Sequence, residues 1–273
     1  MARLWRSTGI SAAVAAIVIV LISPYLYRRA LPFLPESFRQ PELEAIVCPH
    51  HRYSTELISL DPLLIYIESF LTAPEITELL EAGEPEFAPS VVYKHGRLQG
   101  TADRTSSSAG LPRTNPTVQC VLRRAQGFLG TMFNPARDDI GPPQLVRYLA
   151  GQRFNQHHDW YEKPQPARKG MLGKGSSWNR MASFFAILED QCTGGETWFP
   201  HVTATHARNE NMEHLWRTHE EGGLAFKPIA GNALFWANLH PNGTGDERVI
   251  HAGLPLESGQ KTAMNIWPRK FYD

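Results

Sequence analysis

The 273-residue chain reads as mainly β with flanking helices: an α+β unit built on a β-sandwich or barrel, for which a jelly roll is one solution. Three observations point there. After Pro143, short apolar runs recur at 144–149, 153–158, 181–188, 224–226, 233–236, 249–251 and 263–267, with turn residues between them. Upstream, two segments carry helical spacing and capping residues. No internal repeat is visible.

The N-terminus stands apart from this unit. Residues 1–8 form a short tail, and 9–27 are almost wholly apolar and uncharged. About 19 helical residues at about 1.5 Å each nearly span a bilayer core of about 30 Å. A cleaved signal peptide is the rival reading. Against it, Pro24, Tyr25, Leu26 and Tyr27 stand where a small-x-small cleavage site would follow. The expectation is an uncleaved transmembrane signal-anchor. Arg3 and Arg6 favour a cytosolic tail, with the rest of the chain in the endoplasmic reticulum lumen, while Arg28 and Arg29 oppose that orientation. Asn242-Gly-Thr244 is a glycosylation sequon in a turn-rich loop and sides with the lumen. Residues 28–59, with several prolines and no clear period, read as a stalk.

Residues 60–142 read as a helical and strand part preceding the core. Residues 63–67 are apolar and β-branched after Pro62, hence a strand. Thr72 and Glu75 form a capping box, with Pro74 in the first turn. Ile76, Leu79 and Leu80 give that helix its apolar face, and Gly83 ends it. A second helix starts at Asn115-Pro116 and keeps its spacing through Val118, Val121, Leu122, Ala125, Phe128 and Leu129 to Gly130. Residues 143–269 hold the strand-like runs. Two polar segments, 160–179 and 201–223, read as long loops. The histidines of the second, His201, His206, His214 and His219, lack ligand spacing and read as solvated.

Composition narrows the function classes. Twenty-seven basic and 27 acidic residues leave no net charge, so nothing points to nucleic acid. Cys48, Cys120 and Cys192 are widely spaced and form no zinc pattern; one bridge and one free thiol are possible, with the pair undetermined.

The chemistry gathers near the C-terminal half. On a strand, His157 and Asp159 share a face and His158 points away. A lone His-x-Asp is more often a polar strand end. Downstream, however, His251 follows an apolar run, and two imidazoles with one carboxylate suit non-haem Fe(II) with open positions left over. Lys261 lies ten positions later, across a turn-rich stretch with Gly253, Pro255, Ser258 and Gly259. A hairpin there would return it beside His251. A lysine alone is usually a solvated surface group, but one inside a barrel is costly unless it meets an anion.

These residues sit in longer motifs. Tyr148-Leu-Ala-Gly151-Gln-Arg-Phe154-Asn-Gln-His157-His-Asp159 resembles the prolyl 4-hydroxylase pattern Y-x-x-G-Q-x-Y-x-x-H-x-D. Arg180-Met-Ala-Ser183, Gly194-Gly195-Glu196-Thr197, Gly231-Asn-Ala-Leu-Phe235-Trp236, His251-Ala-Gly253, Lys261 and Trp267 follow in family order. Upstream, Asp61-Pro-Leu-Leu-Ile-Tyr66 and Arg104-Thr-Ser-Ser-Ser108 resemble fungal and plant members. The resemblance implies a double-stranded β-helix. It implies that His157, Asp159 and His251 bind iron, that Lys261 pairs with the 2-oxoglutarate carboxylate, and that Tyr148 and Ser183 hydrogen-bond the same cosubstrate. Ser183 stands where the family commonly has Thr and keeps the hydroxyl. Arg180 and Trp267 become candidate substrate-groove residues. Two positions depart from the pattern: Phe154 and Ile187 each replace a tyrosine.

The implied activity couples oxidative decarboxylation of 2-oxoglutarate to hydroxylation of an unactivated C–H, with Fe(II), O2 and ascorbate as cofactors. Peptidyl proline is the expected substrate. A small metabolite on the same scaffold is the alternative, and a catalytically silent binding subunit is a further one. A partner subunit is not legible.

Overall fold

The computed structural model describes residues 46–273 apart from 95–96, 100–102, 169–174 and 206–211. The tail, the expected anchor at 9–27 and most of the expected stalk lie outside the described residues. Among the described residues no helix is long and apolar enough to cross a membrane.

Both helices begin where their capping residues lie. Helix α1 spans Ala73–Gly83. The Glu75 amide donates to Thr72 Oγ1 at 3.3 Å, and the Thr72 amide donates to Glu75 Oε2 at 2.9 Å, so two otherwise orphaned donors are satisfied. Helix α2 spans Pro116–Leu129, with the Val118 amide donating to Asn115 Oδ1 at 3.1 Å. Arg124 of α2 pairs with Glu75 at 2.6 Å and joins the helices. Cys48 and Cys120 form a disulfide, leaving Cys192 free.

Two antiparallel sheets make the core. The larger has nine strands, running in space as Ser54–Leu60, Leu63–Glu68, Ala233–Ala237, Ala182–Glu189, Leu256–Ile266, Gln144–Leu149, Ser107–Gly110 and Ala88–Pro89, with Cys192–Gly194 added beside Leu256–Ile266. The smaller runs as Trp216–Thr218, Leu224–Phe226, Thr197–Phe199, His251–Gly253 and Phe154–His157. The larger sheet is covered on both faces. Phe184, Ala186, Phe235, Met264 and Ile266 pack with Val118, Val121 and Ala125 of α2. Leu234, Trp236, Leu64 and Tyr66 pack with Phe199, Leu224 and Phe226 of the smaller sheet. Burial of each large apolar side chain contributes about 1.5–3 kcal/mol. Strands buried on both faces read as continuous apolar runs, which is the texture of 182–188.

Three expectations need correction. The stalk does not extend to residue 59. Cys48 is tied to α2, and Ser54–Leu60 is an edge strand paired with Leu63–Glu68. Its outward side chains are exposed, so it lacked an apolar signature. The segments 160–179 and 201–223 are not wholly loops. They contain the strands Gln165–Pro166 and Trp216–Thr218 and the start of Ser177–Arg180, all too short to show a period. Finally, the turn after His251 is not a hairpin. His251–Gly253 pairs within the smaller sheet and Leu256–Ile266 within the larger, so the chain crosses between sheets there.

Candidate active site

His157 ends one strand and His251 begins its antiparallel neighbour, and the two are directly opposite in register. Their rings lie 4.3 Å apart, centre to centre. Each imidazole is oriented by its own strand. His157 Nδ1 lies 2.8 Å from the Asn155 carbonyl, and His251 Nδ1 lies 3.0 Å from the Val249 carbonyl. A carbonyl only accepts, so each Nδ1 carries the proton and each Nε2 keeps a free lone pair. Aromatic rings wall both imidazoles. Phe154 stacks on His157 at 3.5 Å, and Phe199 and Trp236 flank His251 at 5.2 and 4.8 Å. Burial, the leading influence, pushes both imidazoles toward the neutral form that binds metal.

Asp159 completes the group: one ligand atom from each of His157, Asp159 and His251 falls within 4.8 Å of the others. The Asp159 carboxylate is 6% exposed. Burial alone would raise its pKa, but His251, Arg180 and His157, with a hydrogen bond from Ser183, hold it below the usual carboxylate range. Ser183 Oγ donates to Oδ2 at 2.6 Å and the Trp267 indole donates to the same oxygen at 3.0 Å. Oδ1 accepts neither of these bonds and, with the Arg180 guanidinium 3.9 Å away, is the oxygen left for a ligand. His158, just past the end of that strand, is not part of the group: it packs on Trp160 and lies 3.3 Å from the Glu247 carbonyl.

A cavity of about 680 Å3 opens over the triad, with Tyr148, Arg180, Lys261 and Trp267 among its lining residues. Lys261 enters from the larger sheet, directly opposite Tyr148 on the neighbouring strand. It is 2% exposed, and its Nζ donates to the Gly195 carbonyl at 2.6 Å. Gly195 adopts φ +70°, and a Cβ there would meet Leu256 at 2.2 Å, so glycine is needed where this carbonyl turns in. Among the described residues no carboxylate forms an ion pair with Lys261; the nearby Glu196 is engaged by Arg217 at 2.9 Å. Burial pushes the Lys261 amine down to about 8. The Tyr148 hydroxyl is raised by burial and hydrogen-bonds Ser106.

Other expected residues fall differently. Ser183 is fully buried, does not line the cavity, and donates its hydroxyl to Asp159. Arg180 lies over the Trp267 ring at 3.6 Å and donates to the Asp159 carbonyl at 3.1 Å. Asn242 is exposed, and its Oδ1 accepts from the Thr244 amide at 3.0 Å and hydroxyl at 2.7 Å.

Sequence reasoning assigned no role to Arg104, Thr197 or Asn265, all of which line the cavity. Arg104 hydrogen-bonds Ser106 and Ser108 at 3.1 and 2.9 Å and caps the Phe154 ring at 4.9 Å. Its only sequence signal was its place in the Arg104–Ser108 stretch.

The donor set, two neutral imidazoles and one carboxylate with open positions, fits non-haem Fe(II). The buried ammonium fits an anionic cosubstrate. Comparison with known proteins agrees. The 2OG-Fe(II) oxygenase superfamily profile matches residues 143–269. The chain is 30% identical over 220 residues to a protein named probable prolyl 4-hydroxylase 10 of Arabidopsis thaliana, covering 78% of this chain and 71% of that one. It is 28% identical to prolyl 4-hydroxylase subunit alpha-1 of Gallus gallus, over 76% of this chain but 35% of that longer subunit. The viral collagen prolyl hydroxylase of Paramecium bursaria Chlorella virus-1, solved as a 2OG complex, superposes with TM-score 0.53 and 21% identity, over 76% of this chain and 96% of that one. At that identity the likeness is one of fold. The plant relative is matched across most of both chains, and the superfamily profile spans the segment holding the His–Asp–His group and Lys261, so the chain belongs to the prolyl 4-hydroxylase family of 2OG-Fe(II) oxygenases.

Proposed function

We propose that this 2-oxoglutarate-dependent dioxygenase hydroxylates peptidyl proline, with Fe(II) held by His157, Asp159 and His251 and the cosubstrate anchored by Lys261. The carrying observation is a buried lysine that pairs with no carboxylate among the described residues, opening on the same cavity as three convergent ligand atoms. An uncompensated buried charge is costly, and a dicarboxylate supplies its partner. When bound, iron and 2-oxoglutarate supply the oxidising chemistry: O2 and 2-oxoglutarate give succinate and CO2 while one oxygen atom enters a substrate C–H bond. The protein's own part is positional. Lys261 fixes the distal carboxylate, and Tyr148 flanks it with its ring 5.7 Å from Nζ. Phe154, Phe199 and Trp236 shield the imidazoles from water, and Arg180 and Trp267 border the space left for substrate. Ascorbate serves, as in the family, to keep iron reduced. The test is succinate release under O2 with a panel of proline peptides and small metabolites. Turnover on peptides supports the proposal; turnover confined to a metabolite replaces its substrate.

Two departures from the family pattern stand behind the second reading. Phe154, stacked on His157, presents no hydroxyl where the family pattern carries tyrosine. Ile187, the other departure, packs near Tyr148 and Ala263 and likewise offers no polar atom. A silent binding subunit is the reading least supported, since no member of the His–Asp–His–Lys set is missing.

We further propose a single-pass anchor at 9–27, a catalytic unit in the endoplasmic reticulum lumen, and glycosylation at Asn242. The apolar length, the missing cleavage site and the exposed sequon support it.

A further inference from the structure

Asn238 lies just past the end of the Ala233–Ala237 strand and is fully buried. Its backbone is held on both sides: its amide donates to the Met181 carbonyl at 2.9 Å, and its carbonyl accepts from the Asp246 amide at 2.9 Å. Its side chain is therefore delivered to a set place. There, Nδ2 donates to Ser183 Oγ at 2.9 Å, while Oδ1 has no hydrogen-bond partner among the described residues. Ser183 Oγ in turn donates a hydrogen bond to Asp159 Oδ2 at 2.6 Å.

The direction of this relay is forced. An ionised carboxylate can only accept, so the single Ser183 proton points at Asp159. The hydroxyl then has only lone pairs to offer Asn238, which must present its NH2 group. An oxygen in that position would compete for the serine proton. Leaving Oδ1 bare in the interior is unfavourable, and most buried polar atoms avoid it. The fold tolerates that cost at a group whose other end reaches a candidate metal ligand.

We propose that Asn238 is a positioning residue for the metal centre: by holding the Ser183 hydroxyl in donor orientation, it fixes Asp159 with Oδ2 occupied and Oδ1 turned to the metal. The inference rests on the reading of His157, Asp159 and His251 as the iron site. It also assigns Ser183 a role through Asp159 in place of direct contact with the cosubstrate. Outer partners of metal ligands typically change metal affinity by about 10–100-fold.

The test is a double-mutant cycle read by metal binding rather than turnover. Mn(II) is titrated into the metal-free wild type, N238A, S183A and N238A/S183A, and free Mn(II) is followed by electron paramagnetic resonance. Thermal melts check each fold, and N238L repeats the test with a side chain of the same branching but no polar atom. The expected result is a loss of about tenfold in N238A and N238L, a comparable or larger loss in S183A, and a double variant no weaker than S183A. The Co(II)-substituted N238L should also show an altered visible spectrum, reporting changed carboxylate coordination. Wild-type affinity in both N238A and N238L overturns the proposal. So does full additivity in the cycle, which would mean that Asn238 acts without Ser183. If the wild type itself fails to bind Mn(II), or binds it equally well after D159A, the iron-site reading fails instead.

Discussion

Removing the Lys261 charge should move two measurable quantities in opposite directions. In Lys261→Met the stem keeps its apolar reach and loses only the ammonium. Under the proposed assignment that ammonium is one half of a buried ion pair in the cosubstrate-bound enzyme, and breaking such a pair from one side costs about 3–5 kcal/mol. At about 1.4 kcal/mol per decade, the 2-oxoglutarate Kd rises by roughly two to four orders of magnitude. In the free enzyme the sign reverses. Burial holds the Lys261 amine down to about 8, so the folded state disfavours the charge that an unfolded lysine carries. That penalty is fully present below about pH 8 and is relieved as pH rises toward the ordinary lysine value. K261M should therefore raise the free enzyme's Tm at pH 7, and the advantage should shrink in alkali. The same titration predicts that wild-type affinity for 2-oxoglutarate weakens above about pH 8, approaching tenfold per unit, while K261M shows no such slope. Calorimetric titration of 2-oxoglutarate into Mn(II)-loaded enzyme, with Tm measured on the free protein, reads all of these. A wild-type titration curve from K261M would remove the lysine from the cosubstrate site and refute the reasoning.

Three further outcomes are expected. H157A, D159A and H251A should each abolish succinate release, whereas H158A should bind Mn(II) nearly as wild type, because His158 packs on Trp160 away from the triad; loss of metal in H158A with retention in H157A would reverse the assignment. The double variant C48S/C120S removes a crosslink across 72 residues and should lose about 4 kcal/mol by chain entropy, read from the urea midpoint; a change within error would show that the bridge contributes nothing to stability. With a tag after Asp273, protease treatment of intact microsomes should spare the tag until detergent is added, and N242Q should remove a glycan-sized mass; digestion without detergent would place the catalytic unit in the cytosol.

The amino-acid order alone determined the features that depend on near neighbours. Thr72 with Glu75 and Asn115 with Pro116 set helix starts, because capping is settled within four residues. The His157-x-Asp159 spacing kept the two candidate ligands close in the chain, although the strand stops at His157 and Asp159 lies just beyond it, so strand period alone did not set their shared direction. The family motifs named the rest of the set, down to Lys261. What only tertiary structure decided is how distant pieces meet. His251 faces His157 because two strands pair in one register, and nothing local specifies a register across 94 positions (251 − 157). Lys261 reaches the same cavity by crossing to the other sheet, not by the hairpin its turn residues implied, since turn chemistry fixes a reversal but not the strand it feeds. Ser183 was legible as a hydroxyl, yet its bond to Asp159 was not, because that bond joins side chains 24 positions apart. Asn238 carried no signal at all, because a buried amide gains its meaning from a bond to a side chain 55 positions distant.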